Sequence, residues 1–186
     1  MRPYTGLLWL MLACAACAEE FVVRVVDIQN PSKKQPGVLY HRKPSDSRFF
    51  EAFVGSNGRV AERFRTDPET VAALEFLIGG RVGINKDTEV EIIGDRSVSA
   101  VGPPPRIVFH QRAIWMKSNR LKRPLEIQSH GATMGIRGTE FIVEAAPERT
   151  EVSVLEGSVE IRDRQQKLLG MARPGDVYDV RESSFT

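Results

Sequence analysis

The sequence predicts an all-β protein made of short, mostly antiparallel strands. Apolar and β-branched residues alternate with polar ones over short stretches, and turns rich in Gly, Pro, Asn and Asp return about every 8–12 residues. Helical periodicity is nearly absent between these turns. The pattern is typical of a sandwich, a barrel or a solenoid-like stack of strands, and no strict sequence repeat separates the three.

The first eighteen residues have the form of a secretory signal peptide. Arg2 precedes the apolar run 7–13, and residues 16–18 (ACA) form a small-residue cleavage site. We expect cleavage after Ala18 and a periplasmic or secreted mature chain. Lipidation at Cys14 or Cys17 is the alternative, although Met stands where a lipobox prefers Leu. Both cysteines of the chain lie here, so the mature protein has neither a disulfide nor a thiolate site.

A strand and a long loop follow. Residues 21–28 (FVVRVVDI) are rich in β-branched side chains and predict a strand that ends before Asn30. Residues 29–48 are polar and proline-rich, which indicates a loop around one short strand at residues 37–41. Residues 49–54 are apolar, and so short a run does not distinguish a helical turn from a strand.

Regular strands and turns begin at residues 56–58, which predict a turn. Residues 71–78 and 81–84 read as two strands, joined by Gly79-Gly80 with the positive φ values of a two-residue hairpin. Residues 88–92 (TEVEI) alternate cleanly and place their acids toward solvent. Such neighbouring carboxylates indicate strand patterning and give no reason to infer a glycosidase site.

The next segment carries the candidate partner contact. Three prolines at 103–105 precede a strand at 107–110, the apolar patch 113–116 and the basic stretch 117–123, before a strand at 125–127. The ordinary interpretation is that Trp115 belongs to the core and that residues 117–123 form a solvated loop. The functional hypothesis is an interface anchor with basic residues that bind an anionic partner. Its members are Trp115, Lys117, Arg120, Lys122 and Arg123.

Three segments near the C-terminus form a recognisable signature. They are residues 130–143 (HGATMGIRGTEFIV), 152–161 (VSVLEGSVEI) and 173–176 (RPGD). Together they resemble the FecR periplasmic domain family, with the likeness extending over Thr66–Val180. The resemblance implies stacked, twisted sheets of short strands, with scaffold residues Gly131, Gly135, Arg137, Gly138, Thr139, Glu140, Phe141, Glu156, Gly157, Pro174 and Gly175.

Within this signature the glycines allow two interpretations. Gly131, Gly135 and Gly138 could form an anion-binding nest, but they lead into a strand and lack the ending of a P-loop. We favour tight turns, in which glycine permits positive φ or close backbone approach, and we expect positive φ at Gly138. Arg137 and Glu140 predict a local ion pair, with recognition of a carboxylate by Arg137 as the alternative.

Catalytic and metal motifs are absent from the sequence. The three histidines, His41, His110 and His130, lack metal-binding spacing, although His130 with Glu140 and Glu144 could meet across a hairpin. No nucleophile elbow or Ser/His/Asp set with recognisable context occurs. We therefore expect no enzyme activity, no metal and no cofactor.

The sequence divides into a signal peptide and one β domain. Residues 1–18 are the signal peptide, 19–65 an N-terminal β segment and loop of the same domain, and 66–186 the FecR-like β domain.

The chain has 26 Lys+Arg against 24 Asp+Glu, and residues 1–18 contain one of those arginines and no acid. This balance gives no prediction of nucleic-acid binding. No later apolar run reaches ~18 residues, so no transmembrane segment is expected after signal removal.

Function is predicted by resemblance. In the regulators that give the family its name, the domain senses an outer-membrane receptor by protein contact, behind a transmembrane helix and an anti-sigma segment. Here a signal peptide stands in their place, so we expect a non-enzymatic envelope module that binds an unknown envelope protein. The alternative is an enzyme or binding protein for an envelope glycan or small ligand. A pocket with two of His110, His130, Glu140 and Trp115 would favour that alternative.

Overall fold

The computed structural model describes residues 22–94, 104–118, 121–122, 124–136 and 138–181. The predicted signal peptide and both cysteines lie outside these ranges. So do three residues of the predicted sites, namely Arg120, Arg123 and Arg137.

The described residues form seventeen strands of two to eight residues. Their bounds are β1 Val23–Gln29, β2 Leu39–Arg42, β3 Phe50–Ala52, β4 Asn57–Gly58, β5 Arg63–Thr66, β6 Val71–Phe76, β7 Arg81–Ile84, β8 Glu89–Ile93, β9 Arg106–Phe109, β10 Arg112–Lys117, β11 Leu125–Gln128, β12 Thr133–Ile136, β13 Glu140–Ala146, β14 Arg149–Glu156, β15 Val159–Arg162, β16 Leu168–Ala172 and β17 Val177–Arg181.

Two large sheets contain these strands. One has eight strands in the order β17-β14-β13-β10-β7-β6-β1-β4, and the other has nine in the order β16-β15-β12-β11-β9-β8-β5-β2-β3. The β9–β11 pair is parallel, and the other described pairs are antiparallel. Both sheets have free edges, so neither closes into a barrel. The prediction of stacked sheets of short, mostly antiparallel strands is confirmed.

The chain builds this stack from one end to the other. It lays down one or two strands in one sheet and then crosses to the other sheet, so that β1 to β4 lie at one end and β16 and β17 at the opposite end. We call these the N-terminal end and the C-terminal end.

One core lies between the two sheets. Phe64 and Phe109 enter it from the nine-stranded sheet and Phe76 and Phe141 from the eight-stranded sheet, all fully buried or nearly so. The alternation predicted for residues 88–92 is confirmed, because Val90 and Ile92 belong to this core. Such two-sided burial of apolar side chains is the main stabilising contribution to a sandwich of this kind.

Several local features differ from the sequence prediction. The ambiguous stretch 49–54 contains strand β3, and residues of the predicted turn 56–58 form the short strand β4, which pairs with β1. Gly79 and Gly80 have φ values of 96° and 93°, as expected, but the loop spans residues 77–80 because it also contains Leu77 and Ile78. Strands β5 and β16 were not predicted.

A search of the described ranges for a helix of sufficient length and apolarity to cross a membrane found none.

Candidate functional site

Trp115 lies on the outer face of the eight-stranded sheet. Its neighbours Ile114 and Met116 point into the core, and the alternation of β10 therefore turns the indole outward, where it is half-buried. The indole N–H donates a hydrogen bond to Oε1 of Glu140 at 3.1 Å. The expectation of core burial is therefore wrong for this tryptophan. Because Trp115 and Lys117 stand two residues apart, the lysine was the signal that this face meets solvent.

Lys117 shares the same carboxylate. Its Nζ lies 2.7 Å from Oε2 of Glu140, so the two oxygens of one side chain hold the indole and the ammonium. The hydrogen bond and charge of Glu140 raise the pKa of Lys117, and Glu156 adds to this from the next strand. The hydrogen bond from Lys117 in turn lowers the pKa of Glu140 against the opposing effect of burial, and the hydrogen bond from Trp115 lowers it further.

The signature turn places Glu140 in this position. Gly138 has a φ of 61°, which confirms the predicted left-handed conformation, and it is followed by buried Thr139. An irregularity of register between Glu140 and Phe141 then shifts the pairing with β14. Because side chains alternate along β13, Phe141 enters the core while the carboxylate of Glu140 stays on the outer face.

The second signature segment packs directly against this turn. A Cβ on Gly157, which has a φ of 81°, would lie 2.5 Å from the Gly138 carbonyl oxygen and 2.8 Å from Cγ2 of Thr139. A side chain cannot be accommodated there without moving backbone. The Gly138-Thr139 and Glu156-Gly157 segments therefore form one interlocked unit.

Gly131 and Gly135 do not share this explanation. Neither has a positive φ, and a Cβ on either would make ordinary contacts at 3.7 Å or more. Gly135 lies inside β12, between Glu126 of β11 and Glu160 of β15. Gly131 nevertheless lies in the tight turn between β11 and β12, which a 3.0 Å bond from the Ser129 amide to the Ala132 carbonyl closes. The tight-turn interpretation therefore fails only for Gly135.

The predicted partner contact is only partly described. Trp115 and Lys117 are brought together by Glu140, and Lys122 is exposed, with its backbone amide bonded to the carbonyl of Ile78 at 2.7 Å. Since Arg120 and Arg123 lie outside the described ranges, a role of this segment in binding remains a prediction.

A stronger candidate surface lies at the C-terminal end. Strand β16 is the edge of the nine-stranded sheet and β17 is the edge of the eight-stranded sheet. Exposed large apolar side chains lie on these strands and on β14, with Leu168 56% exposed. They are Leu155, Leu168, Leu169, Met171 and Val177. We call this set the aliphatic edge. An apolar pair followed by Met171 was the available sequence signal for it.

A turn and a tyrosine fix the geometry of this edge. Arg173 and Asp176 close the turn around Pro174 and Gly175, with a 2.9 Å bond between the backbone of the two end residues and a φ of 89° at Gly175. Across the two edges, the Tyr178 hydroxyl donates to the carbonyl of Leu169 at 2.9 Å. The aliphatic edge is therefore held by the two sheets together.

A shallow groove of about 290 Å³ runs beside Trp115 on the outer sheet face. Its lining includes Gly83, Ala113, Ile142 and Glu144, and Trp115 crosses close above Gly83. None of His110, His130 or Glu140 lines it. The combination of residues that would favour a glycan or small-molecule site is therefore not found in this groove.

The histidines lie in two separate places. His41 bonds to Glu62 at 2.7 Å and stacks on Phe64, while the rings of His110 and His130 lie 5.0 Å apart. Within the described ranges, no three His, Cys, Asp or Glu side chains are grouped as metal ligands would be.

Comparisons with known proteins agree with this architecture. The model of the FecR protein family matches residues 62–160. The chain belongs to the FecR family. The match begins next to β5 and ends in β15, so β1–β4 and β16–β17 of this FecR-family protein lie outside the matched residues.

Solved structures supply a similar fold. Two crystal structures of a candidate anti-sigma factor from Parabacteroides distasonis, at 1.65 Å and 2.50 Å resolution, match with TM-scores of 0.49 and 0.50 and identities of 17% and 16%. The match covers 64% of this chain and 59% of the length of each of those chains. Among curated proteins none matches the sequence significantly.

Proposed function

We propose that this protein is a non-enzymatic interaction module of the cell envelope. In this proposal the aliphatic edge binds an extended segment of a partner protein, which adds a strand to the nine-stranded sheet. The observation that carries the proposal is the edge strand β16, which has a paired neighbour on one side only, although the Tyr178 hydroxyl binds its Leu169 carbonyl and its register with β15 is irregular. Membership of the FecR family supports an interaction role, and the signal-peptide pattern of residues 1–18 supports export to the periplasm.

Strand β16 has the properties of an acceptor for such a segment. Its outer edge pairs with no described strand, and residues 168–172 contain neither a charge nor a proline. Proteins normally protect exposed edges with those residues, because unpaired backbone groups and apolar side chains recruit another chain. Main-chain bonds would supply affinity, and pockets for alternate side chains would supply specificity.

Charges at the two ends of β16 indicate the chemistry of the partner. Lys167 and Arg173 flank the apolar stretch and are exposed. Neither side chain forms an ion pair with a described carboxylate, although their backbone amides donate to Asp163 and Asp176. Two copies of β16 paired antiparallel about Gly170 would bring these positive charges together. A partner segment with an apolar centre and acidic flanks fits better than a second copy of this chain.

Site-specific crosslinking in intact cells tests the proposal. A photoreactive residue at Leu169 should crosslink to one envelope protein. Leu168→Lys with Met171→Lys should reduce the crosslinking yield at least tenfold, since charged side chains replace the apolar contacts to the added strand. The matched control is Leu77→Lys with Ile93→Lys, which charges two apolar positions elsewhere that are each 41% exposed. If both double variants crosslink like the unchanged chain, the β16 contact is wrong.

Two further results would redirect the proposal. Replacement of Lys117, Arg120, Lys122 and Arg123 by Ser tests the predicted contact near Trp115, and a selective loss of capture there would move the interface to that region. Turnover of an envelope glycan or an ester by the purified protein would overturn the non-enzymatic assignment.

A further inference from the structure

A second surface, at the N-terminal end, has a different chemistry. Arginine side chains stack on aromatic rings across the outer face of β2 and β5 and along the edge strand β3. We call this set the arginine–aromatic patch. It comprises Tyr40, Arg42, Arg48, Phe49, Phe50 and Arg65.

The stacking presents the guanidinium groups in fixed positions. Arg65 lies 4.3 Å from the ring centre of Phe49 and 5.5 Å from that of Tyr40, and Arg42 lies 5.1 Å from the Phe49 ring. Arg48 lies 5.0 Å from the ring of Phe50. A guanidinium that stacks through its face keeps its N–H groups at the edge, where they can bind phosphate oxygens in a bidentate manner.

These arginines form no ion pair within the described structure, although Glu51 stands opposite Tyr40 at the edge of the patch. Arg42, Arg48 and Arg65 have no ion pair to a described carboxylate, whereas neighbouring Arg63 is held by Glu89 and Glu91. Residues 31–66 contain eight Lys or Arg and three Asp or Glu, although the whole chain has a net charge of only +2. The excess positive charge of the protein is thus concentrated at this end.

An exposed apolar turn adjoins the patch. Phe53 and Val54, each 62% exposed, follow β3 in a turn closed by a 2.9 Å bond from the Ser56 amide to the Phe53 carbonyl, and Phe50 on β3 is also exposed. The backbone of this turn is fixed, because the Gly55 amide donates to the Val25 carbonyl at 2.8 Å. Two neighbouring large apolar side chains that are exposed at a rigid turn contribute nothing to the packing of the core.

We propose that the N-terminal end binds the surface of a membrane that contains anionic phospholipids. The arginines of the patch contact lipid phosphates, and Phe53 and Val54 enter the boundary between headgroups and acyl chains. Anionic headgroups complement the charge excess, and the apolar tip requires a partner with an apolar interior. A soluble polyanion satisfies the first requirement and leaves the second unmet. This surface is separate from the aliphatic edge at the opposite end.

Vesicle flotation with the exported protein tests the proposal. We expect binding to phosphatidylcholine vesicles that contain about 30% phosphatidylglycerol, weak binding to pure phosphatidylcholine, and loss of binding as salt screens the charges. The triple variant Arg42→Gln, Arg48→Gln, Arg65→Gln should bind about 100-fold more weakly, since each basic residue near such a surface contributes about fivefold. Thermal unfolding confirms that each variant is folded.

The matched control removes the same charge elsewhere. Lys122→Gln, Lys167→Gln and Arg173→Gln, all at exposed positions, should leave vesicle binding within about threefold of the unchanged protein. Lys167 and Arg173 lie at the opposite end of the stack, and Lys122 is bonded to the β6–β7 loop of the other sheet. Loss of binding to the same extent as in the patch variant would show a nonspecific charge effect and overturn the proposal.

The apolar tip separates a membrane from a polyanion. Phe53→Ser with Val54→Ser should weaken vesicle binding by a similar factor at every salt concentration at which the unchanged protein still binds, because burial of apolar surface is insensitive to screening. If that variant binds vesicles unchanged while soluble polyphosphate competes fully, the ligand is a polyanion and the membrane proposal is wrong. Equal binding of the unchanged protein to neutral and anionic vesicles would also overturn it. The Leu168→Lys, Met171→Lys variant should bind vesicles normally, which keeps this test independent of the proposed protein contact.

Discussion

The two ends of the stack expose opposite chemistries. At the N-terminal end, arginines stack on aromatic rings and a buried Glu62 pairs with His41, whereas the C-terminal end exposes aliphatic side chains above closely packed glycines. The FecR match spans residues 62–160, which form the layers between most of these features. The comparison indicates that a common middle holds the fold, while the terminal layers are free to acquire separate contacts.

The largest loss of stability is expected where the backbone of Gly157 packs against that of Gly138. Gly157→Ala should destabilise the protein by about 2–4 kcal/mol, because left-handed φ costs about 1–2 kcal/mol and the new Cβ meets the Gly138 carbonyl oxygen. Gly175→Ala is the matched control, since Gly175 has a φ of 89° and no atom within 4 Å of the added carbon. Denaturant unfolding should show that this control loses only about 1–2 kcal/mol. Equal losses would disprove the interlock of the two signature segments.

The loss of stability in acid should come mainly from Glu62, at the N-terminal end. Burial alone would raise the pKa of Glu62, but hydrogen bonds from His41 and the Arg59 amide, together with the positive charges of those residues, lower it below its usual 4.5. The folded protein therefore holds a proton on Glu62 less readily than the unfolded chain does. The stabilisation is complete above the unfolded value, and it is lost as pH falls through the lower folded value.

Glu62→Gln makes that effect measurable. The variant should lose about 1–3 kcal/mol of stability at neutral pH, because a buried hydrogen-bonded carboxylate is replaced, and its stability should fall less steeply from there to about pH 3. Thermal unfolding across this range compares it with Glu151→Gln, a half-buried carboxylate bonded to Arg149 at the other end of the stack. An acid slope unchanged by Glu62→Gln would contradict the depressed pKa.

The smallest effect is expected near the middle of the stack. Trp115 fluorescence should change with pH as Glu140 protonates, with a midpoint below 4.5 because Lys117 lowers the pKa of this carboxyl. Glu140→Gln should abolish the change with little loss of stability, since the Lys117–Glu140 pair is at the surface. A midpoint at the ordinary carboxyl value would show that the pair does not persist in solution.

Sequence predicted the layers in which side chains alternate cleanly. Strand β8 is an example, because Val90 stands between Glu89 and Glu91, and Ile92 two residues further on faces the same side. Strand β16 was missed because Gly170 interrupts a short apolar run that shows no alternation. The turn at residues 163–167 that pairs it with β15 contains neither Gly nor Pro to mark a hairpin.

The candidate surfaces were predictable only in part. Gly138 was identified because its place between strands requires positive φ. The arginine–aromatic patch was not identified, since Tyr40 and Arg65 become neighbours only through pairing of β2 with β5. The charge excess of residues 31–66 and the interleaved aromatic residues were visible signals, but residues 29–48 were interpreted as a polar loop around one short strand.

The crossing of the chain between sheets also affects local unfolding. Because successive strands occupy successive layers, an opening at β16 and β17 need not disturb β1–β4. Each terminal layer has a neighbour on one side only, while β9–β13 are covered on both sides. Backbone amides of the terminal layers should therefore exchange with deuterium before those of the middle layers, as in arrays whose stability is a sum over neighbours. A bound ligand at one end would then slow exchange at that end alone.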